Sequence, residues 1–194
     1  TAAGAQVANY PFCTIDPNIG IVRVPDNRLD RIAEIIHPAK KTYTSMEFVD
    51  IAGLVQGASK GEGLGNKFLG HIRDVDALVH IVRCFENPDV VHVGGTVDPV
   101  RDIEIINTEL LLADLETIER RIEKIDRQVK VGDKSQAAAL DLCRRIQHTV
   151  AEGIPVRKMA MDDAHADLLK DLNLLTSKKV LYVANISESL LKTP

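Results

Sequence analysis

An Asp and a Gly that follow an apolar run are the residues of this chain best suited to phosphate chemistry. They stand in Asp50-Ile-Ala-Gly53, at the end of the strand-like run that begins at Met46. An Asp at the C-terminal end of a strand can hold Mg²⁺ through water. A Gly three residues on can offer its backbone N–H to a terminal phosphate, because no side chain blocks the approach. The Asp-x-x-Gly spacing is common, so its surroundings decide its meaning.

A glycine-rich segment supplies those surroundings. Glycines stand at positions 57, 61, 63 and 65, and residues 66–75 then return to helical character. This arrangement is typical of a switch loop that orders around a nucleotide phosphate, and it also fits an ordinary surface loop. A dinucleotide-binding fingerprint is not favoured, because Gly-x-Gly-x-x-Gly is absent and the glycines do not directly follow a strand.

Thr14 lies upstream in a loop punctuated by Pro11 and Pro17, ahead of a predicted strand. A switch Thr can close over Mg²⁺ with its hydroxyl, and the position of Thr14 before the strands that lead to Asp50 suits that role. Taken alone, Thr14 also fits an ordinary loop residue.

A candidate nucleobase-binding segment follows the last predicted strand. The amide of Asn185 can meet the edge of a purine, and the carboxylate of Glu188 could accept from an exocyclic amino group. The usual guanine-reading sequence is Asn-Lys-x-Asp. Ile186 and Glu188 replace its Lys and Asp, which weakens the case for strict guanine preference.

The elements that must position these residues alternate between strand and helix. Runs at 20–25, 46–52, 78–85 and 179–185 predict four strands, and the apolar spacing over 27–37 predicts a helix that Pro38 ends. Such alternation predicts an α/β fold whose sheet carries at least some parallel strands.

The apolar period changes after residue 103. The heptad positions of a coiled coil are filled by Leu111, Leu115, Ile118, Ile122, Ile125 and Val129. The pattern resumes after a turn signal near Gly132 and ends before Gly153, which predicts an antiparallel helical hairpin inserted between the third and fourth strands. Its charged flanks fit either a solvated face with internal ion pairs or a contact with a partner or RNA.

Composition narrows the class of protein. The 194 residues are 45% hydrophobic with a formal net charge of −4, and aromatic residues make up 4% with no Trp. That balance argues against a general polyanion binder and against a platform that stacks many bases. Three distant cysteines, at 13, 84 and 143, favour the reducing cytosol over a disulfide framework. Neither a signal peptide nor a membrane span is predicted.

Five segments together resemble the YchF/Obg-like ATPase family of P-loop NTPases over essentially the whole chain. They are 9–18, 47–55, 57–66, 82–87 and 107–110. The resemblance implies a mostly parallel sheet with helices on both faces, interrupted by the helical coiled-coil hairpin. Residues 1–102 and 154–194 would form the nucleotide-binding domain, and 103–153 the hairpin.

The resemblance also implies the catalytic residue. Leu54 stands where many GTPases carry a water-orienting Gln, and an apolar side chain cannot polarise water. In the family a His in a His-Val-x-Gly segment is thought to replace it, and here that residue is His92. From the sequence alone, His92 also fits a structural role in its Gly-rich loop.

The remaining site assignments follow from the same resemblance. Thr14 and Asp50 would support Mg²⁺, with Asp50 acting through water, and Gly53 would contact the γ-phosphate. The family's nucleobase-reading segment corresponds to Asn185, Ile186 and Glu188, with Phe85 packed on the base.

No phosphate loop of the form Gly-x-x-x-x-Gly-Lys-Ser/Thr occurs in these residues. The resemblance implies that this loop and the first strand precede Thr1, and that a TGS domain and a Ser-Ala base-contact loop follow Pro194. We therefore expect the chain alone to be inactive.

In its complete form we expect a cytoplasmic, ribosome-associated protein that hydrolyses ATP, with GTP second, to ADP and phosphate with Mg²⁺. The large ribosomal subunit and RNA are the expected macromolecular partners, and no membrane is expected. Two alternatives remain, an Obg-type GTPase and a non-catalytic module that binds the ribosome or a protein through the hairpin.

Overall fold

The computed structural model describes residues 18–51, 64–90, 92, 94–131, 136–160 and 166–191. Within these ranges the elements are β1 (Asn18–Arg23), α1 (Asn27–Ile36), β2 (Ser45–Asp50), α2 (Leu64–Arg73), β3 (Ala77–Arg83), α3 (Pro99–Lys130), α4 (Ala137–Ala151), α5 (Ala166–Leu172) and β4 (Lys179–Asn185). Short 3₁₀ turns occupy Val156–Lys158, Leu175–Ser177 and Glu188–Leu191. All four predicted strands are present, with no end displaced by more than two residues.

The described strands form two separate ladders. β3 and β4 are parallel, with Ala77 opposite Lys179 and Arg83 opposite Asn185. β1 and β2 are antiparallel, and α1 lies in the connection between them, which closes where the Val24 N–H donates to the Thr44 carbonyl at 2.8 Å. In the described residues the strands are therefore half parallel and half antiparallel, because the connection through α1 returns the chain beside β1 in the opposite direction and is not a crossover.

The two long helices share one apolar cluster. All six predicted heptad residues of α3 belong to it, with Ile118 and Ile125 fully buried against α4 residues that include Leu142, Cys143 and Ile146. α3 begins at Pro99, four residues before the predicted start of the hairpin, because Asp98 caps it by accepting from the Arg101 N–H. This cap joins the first turn of α3 to the loop that precedes it.

Several of the hairpin's charged residues pair with one another. Along α3, three i,i+4 pairs join Arg120 to Glu116, Arg127 to Glu123 and Lys130 to Asp126. Arg144 of α4 also reaches Asp126, at 3.6 Å. These pairs favour the solvated-face interpretation of the hairpin flanks.

A second cluster joins α3 to the strands. Phe68, Leu69 and Ile72 of α2 pack with Leu110 and Ala113 of α3 and with Leu175. Three partly buried residues also pack against this cluster: Ile51, which follows β2, Leu78 at the start of β3, and Ile106 in the first half of α3. The residue that follows Asp50 is therefore anchored to the same cluster as α3.

Asp114 fastens the middle of α3 to the segment that leads into β4. Its side chain is fully buried and accepts from the Leu175 N–H, the Thr176 N–H and the Thr176 hydroxyl, each at 2.7 Å. Burial raises the pKa of Asp114, and these three hydrogen bonds oppose the rise. The contact fixes α3 against the parallel strand pair.

The β1–α1–β2 unit buries much less of its apolar surface. Ile19 and Ile21 are 62% and 67% exposed, and α1 has no buried residue, with Ile35 79% exposed. α1 is nevertheless well capped, by the Asp26 side chain at its start and by left-handed His37 at its end. None of the described helices is long and apolar enough to cross a bilayer.

Candidate functional site

The ends of β3 and β4 bring two parts of the candidate nucleobase site together. The strands are parallel and in register, so Arg83 and Asn185 face each other where the ladder ends. The Cys84 N–H then donates to the Asn185 carbonyl at 2.8 Å. Phe85 therefore emerges beside Asn185, at the edge where ligands of open α/β sheets bind.

The other base-reading candidates follow β4 directly. Ile186 is 39% exposed, and Glu188 begins the 3₁₀ turn Glu188–Leu191 with its side chain exposed. Both side chains are thus open to a ligand at this edge.

Arg83 organises the loop that leaves β3. Its guanidinium donates to the backbone carbonyls of Phe85, Asn87 and Val90 at 3.0 to 3.2 Å. It also lies over the Phe85 ring, 4.8 Å from the centroid, in a cation–π contact. A base that stacked on Phe85 would therefore use the opposite face of the ring.

His92 follows in the same loop and is held at both ring nitrogens. Its Nε2 lies 2.9 Å from Asp102 Oδ2, and the Gly94 N–H donates to its Nδ1 at 3.0 Å. A backbone amide can only donate, so Nδ1 carries a lone pair and the proton of the neutral ring is on Nε2, facing the carboxylate. The side chain is 17% exposed.

Gly94 fits closely between His92 and the first turn of α3. A Cβ on Gly94 would lie 2.9 Å from Arg101 Nη2 and 3.3 Å from His92 Nδ1. Arg101 in turn donates to the Thr96 hydroxyl at 3.1 Å. Hydrogen bonds among His92 and residues 94–102 thus tie His92 to the first turn of α3.

Asp50 is the one predicted magnesium residue within the described ranges. It is the last residue of β2, and its exposed carboxylate makes no ion pair with other described residues. No group of three or more His, Cys, Asp or Glu side chains suited to a metal occurs in the described part of the chain. A single free carboxylate fits Mg²⁺, which keeps several waters and takes other ligands from substrate phosphates. Thr14 and Gly53 lie outside the described residues.

Three residues that shape this site were missed by the sequence analysis: Arg83, Gly94 and Asp102. Asp102 lies ten residues beyond His92 across an irregular loop, so no helical or strand period relates the two. The Asp98-Pro99 pair, a typical helix start, was the available signal that a first turn lies close to His92.

The α/β framework, with polar residues gathered where parallel strands end, is that of a P-loop GTPase-type domain. The structure of the YchF GTPase of Schizosaccharomyces pombe matches 95% of this chain and 50% of its own chain, with a TM-score of 0.75 and 38% sequence identity.

The chain belongs to the family of 50S ribosome-binding GTPases, whose model matches residues 1–128. It is 51% identical over 194 residues to the ribosome-binding ATPase YchF of Bacillus subtilis, covering all of this chain and 53% of that protein. It is 53% identical over 188 residues to the YchF of Haemophilus ducreyi, covering 97% and 52%. The resemblance to YchF is confirmed, and the chain spans about half the length of the curated relatives it matches.

Proposed function

We propose that this chain is the nucleotide-binding part of a protein that hydrolyses ATP, with GTP second, to the nucleoside diphosphate and phosphate. The observation that carries the proposal is the joining of the His92 loop to the edge where β3 and β4 present Phe85 and Asn185. The relatives named ribosome-binding ATPase YchF support the activity.

In the proposed reaction a water oxygen attacks the γ-phosphorus in line with the bond that breaks. The bridging oxygen leaves with its electron pair on the diphosphate, and the proton released by the water goes to solvent or to the phosphate product. Thr14, and Asp50 through water, would hold Mg²⁺, and the ion would supply positive charge beside the phosphates. The Gly53 N–H donates to the γ-phosphate.

His92 orients the attacking water in this proposal. Leu54 offers no hydrogen-bonding group at the position where a Gln would serve. The Nδ1 of His92 carries a lone pair that now accepts from the Gly94 N–H. Exchanging that amide for a water O–H gives the ring the contact that Leu54 cannot make.

The nucleobase is read by Asn185, with Ile186 and Glu188 beside it and Phe85 packed on the ring. Replacement of the usual Lys and Asp by Ile186 and Glu188 supports ATP over GTP. The relatives' printed names differ on this point, with an ATPase in Bacillus subtilis and a GTPase in Schizosaccharomyces pombe.

The wider setting is proposed from the same relatives. These 194 residues hold no Gly-x-x-x-x-Gly-Lys-Ser/Thr loop, so the proposed hydrolysis is that of the full-length protein, and the chain alone is proposed to be inactive. The nucleotide-binding parts are 1–102 and 154–194, and the hairpin 103–153 is an insertion. The large ribosomal subunit, and RNA through it, are the proposed partners, which places the protein in the cytoplasm.

Replacing His92 tests the proposal. In a full-length protein with its phosphate loop, His92→Ala should lower kcat for ATP about 100-fold, within the usual range for a group that activates water. The Kd for ATP should change less than about twofold. Exposed His148 provides the matched control, because His148→Ala removes an imidazole from α4, away from the strand ends.

Unchanged turnover in His92→Ala would remove His92 from the mechanism. Competition between ATP and GTP in one binding assay tests the nucleobase assignment, and tighter GTP binding would favour the Obg-type GTPase. Ribosome binding that survives without nucleotide and disappears on deletion of 103–153 would favour a non-catalytic hairpin module.

A further inference from the structure

We propose that Asp102 is a positioning residue for His92, holding the imidazole by its Nε2–H so that the Nδ1 lone pair is available to the attacking water. The inference rests on the proposed role of His92 and adds a second residue to that site. Asp102 acts through His92 and does not itself touch nucleotide.

The contact has the geometry of a carboxylate that fixes a histidine. Asp102 Oδ2 lies 2.9 Å from His92 Nε2, and the two side chains are only 22% and 17% exposed. A hydrogen bond to one ring nitrogen sets the orientation of the ring and the character of the other nitrogen. With Nε2–H directed at Asp102, Nδ1 is left as an acceptor.

Asp102 is itself held in place. It occupies the first turn of α3, where the helix dipole favours a negative charge. Arg101 Nη2 lies 3.5 Å from its other oxygen, Oδ1, so His92 and Arg101 use different oxygens of one carboxylate. The Asp102 N–H donates to the Asp98 carbonyl at 3.0 Å, which ties its backbone into the helix.

The titratable and charged groups near Asp102 do not accept the His92 Nε2–H in its place. His80 of β3 feels the charge of Asp102, although burial is the larger effect and lowers the pKa of His80. Arg101 is a cation and cannot accept the Nε2–H. Asp98 is engaged as the helix cap. Among the described residues, Asp102 is therefore the acceptor that holds the ring.

The Gly94 contact shows which nitrogen would meet water. Gly94 donates to Nδ1 from an exposed turn, whereas Asp102 holds Nε2 from the capped first turn of α3, a helix whose later turns pack in both apolar clusters. A small movement of the turn would free Nδ1 while the Asp102 contact stays intact. The site therefore has one fixed and one exchangeable hydrogen bond to the same ring.

The test uses Asp102→Ala and Asp102→Asn in the full-length protein with Mg²⁺ and ATP. Loss of a carboxylate that orients a metal-binding His typically lowers affinity or activity 10–100-fold, and the same range serves as the expectation for Asp102 and His92. We expect Asp102→Ala to lower kcat by about that factor with a KM within about twofold, and Asp102→Asn to fall between Asp102→Ala and wild type. Glu104→Gln is the matched control, since it removes an exposed charge two residues along α3 and should leave kcat unchanged.

Two further measurements distinguish positioning from a structural role. In the double variant with His92→Ala, Asp102→Ala should cause no additional loss of kcat, because nothing remains to be positioned. In ¹⁵N-histidine spectra of the nucleotide-free protein, the Nε2–H proton should be protected from solvent exchange in wild type and in Glu104→Gln. It should lose that protection in Asp102→Ala.

Each outcome decides a separate claim. An equal loss from Asp102→Ala with and without His92 would overturn the inference, since Asp102 would then act elsewhere. Normal kcat in both Asp102 variants, with His92→Ala still slow, would overturn it while leaving the proposed function intact. Normal kcat in His92→Ala would remove the role of His92 and the positioning role with it.

Discussion

The helical half of the molecule, made of α3 and α4, buries its apolar side chains, whereas the β1–α1–β2 unit leaves its own largely exposed. In α3 and α4, Ile118, Ile125 and Ile146 are at most 1% exposed. In the β1–α1–β2 unit, Ile21 and Ile35 are 67% and 79% exposed. Burial is the main source of stability in proteins, so within the described residues the helices carry their own core and the strand pair does not.

The contrast separates the candidate site into two kinds of residue. His92 is fixed by the first turn of α3, which belongs to the packed half. Asp50 ends β2 and belongs to the exposed unit, although Ile51 beside it reaches the shared cluster. The position of His92 is thus set by contacts among the described residues, whereas the carboxylate of Asp50 makes no ion pair with any described residue.

The largest effect should come from opening a cavity in the packed half. Ile146→Ala removes three carbons from a fully buried position and should lower the free energy of unfolding by about 2–5 kcal/mol. Ile35→Ala makes the same chemical change on exposed α1 and should stay within about 0.5 kcal/mol. Urea unfolding of the two variants measures both. A comparable loss at Ile35 would break the comparison, because α1 would then be packed in solution.

The next effect concerns the contact between the packed half and the parallel strands. Asp114→Asn keeps one acceptor oxygen but turns an amide NH₂ toward backbone donors, so at least one buried hydrogen bond is lost. We expect a loss of about 1–3 kcal/mol in the free energy of unfolding. Asp141→Asn, the same change at an exposed position of α4, is the control. Equal stabilities of the two variants would show that the contact of Asp114 with Leu175 and Thr176 does not stabilise the packing of α3 against the parallel strands.

The smallest effect lies in the exposed unit and depends on pH. The side-chain hydrogen bond from Arg28, together with its backbone N–H, lowers the pKa of Asp26 to about 2. Since the pKa is lower in the folded state, the cap stabilises α1 above the unfolded pKa of about 3.9, and that contribution is lost as pH falls through about 2. The Arg28 amide resonance should titrate with a midpoint near that value. In Asp26→Asn the titration should be absent, and a midpoint near 4 in wild type would contradict the cap.

Positions that follow a repeating apolar spacing could be predicted from the sequence, and positions in irregular loops could not. The heptad of α3 predicted its buried face because each of its positions repeats every three or four residues. The four strands followed from short apolar runs bounded by Gly, Pro and polar residues. The antiparallel pairing of β1 with β2 was not predicted, because the alternation of strand and helix does not reveal whether the connection crosses over.

The same distinction holds for the candidate site: residues at strand ends could be predicted, and contacts across the irregular loop could not. Asn185 and Phe85 could be placed at one edge from the sequence, because each is the last residue of a predicted strand. The contact of His92 with Asp102 could not, since it forms across an irregular loop whose shape depends on Gly94 and on the cap at Asp98. Arg83 was likewise missed, because its three carbonyl partners are backbone atoms that no side-chain pattern reveals.

α3 runs without interruption from the first turn beside His92 to the tip of the hairpin, and Asp114 holds it near its middle. Its 32 residues span about 48 Å, and Asp114 fastens it about 18 Å from Asp102 and about 24 Å from Lys130. A rigid helix that pivots at Asp114 moves its two ends in opposite directions, with the larger travel at Lys130. Such a rotation, by about 1 Å at the Asp102 end, would carry Lys130 by about 1.3 Å, since the two distances from Asp114 stand in that ratio.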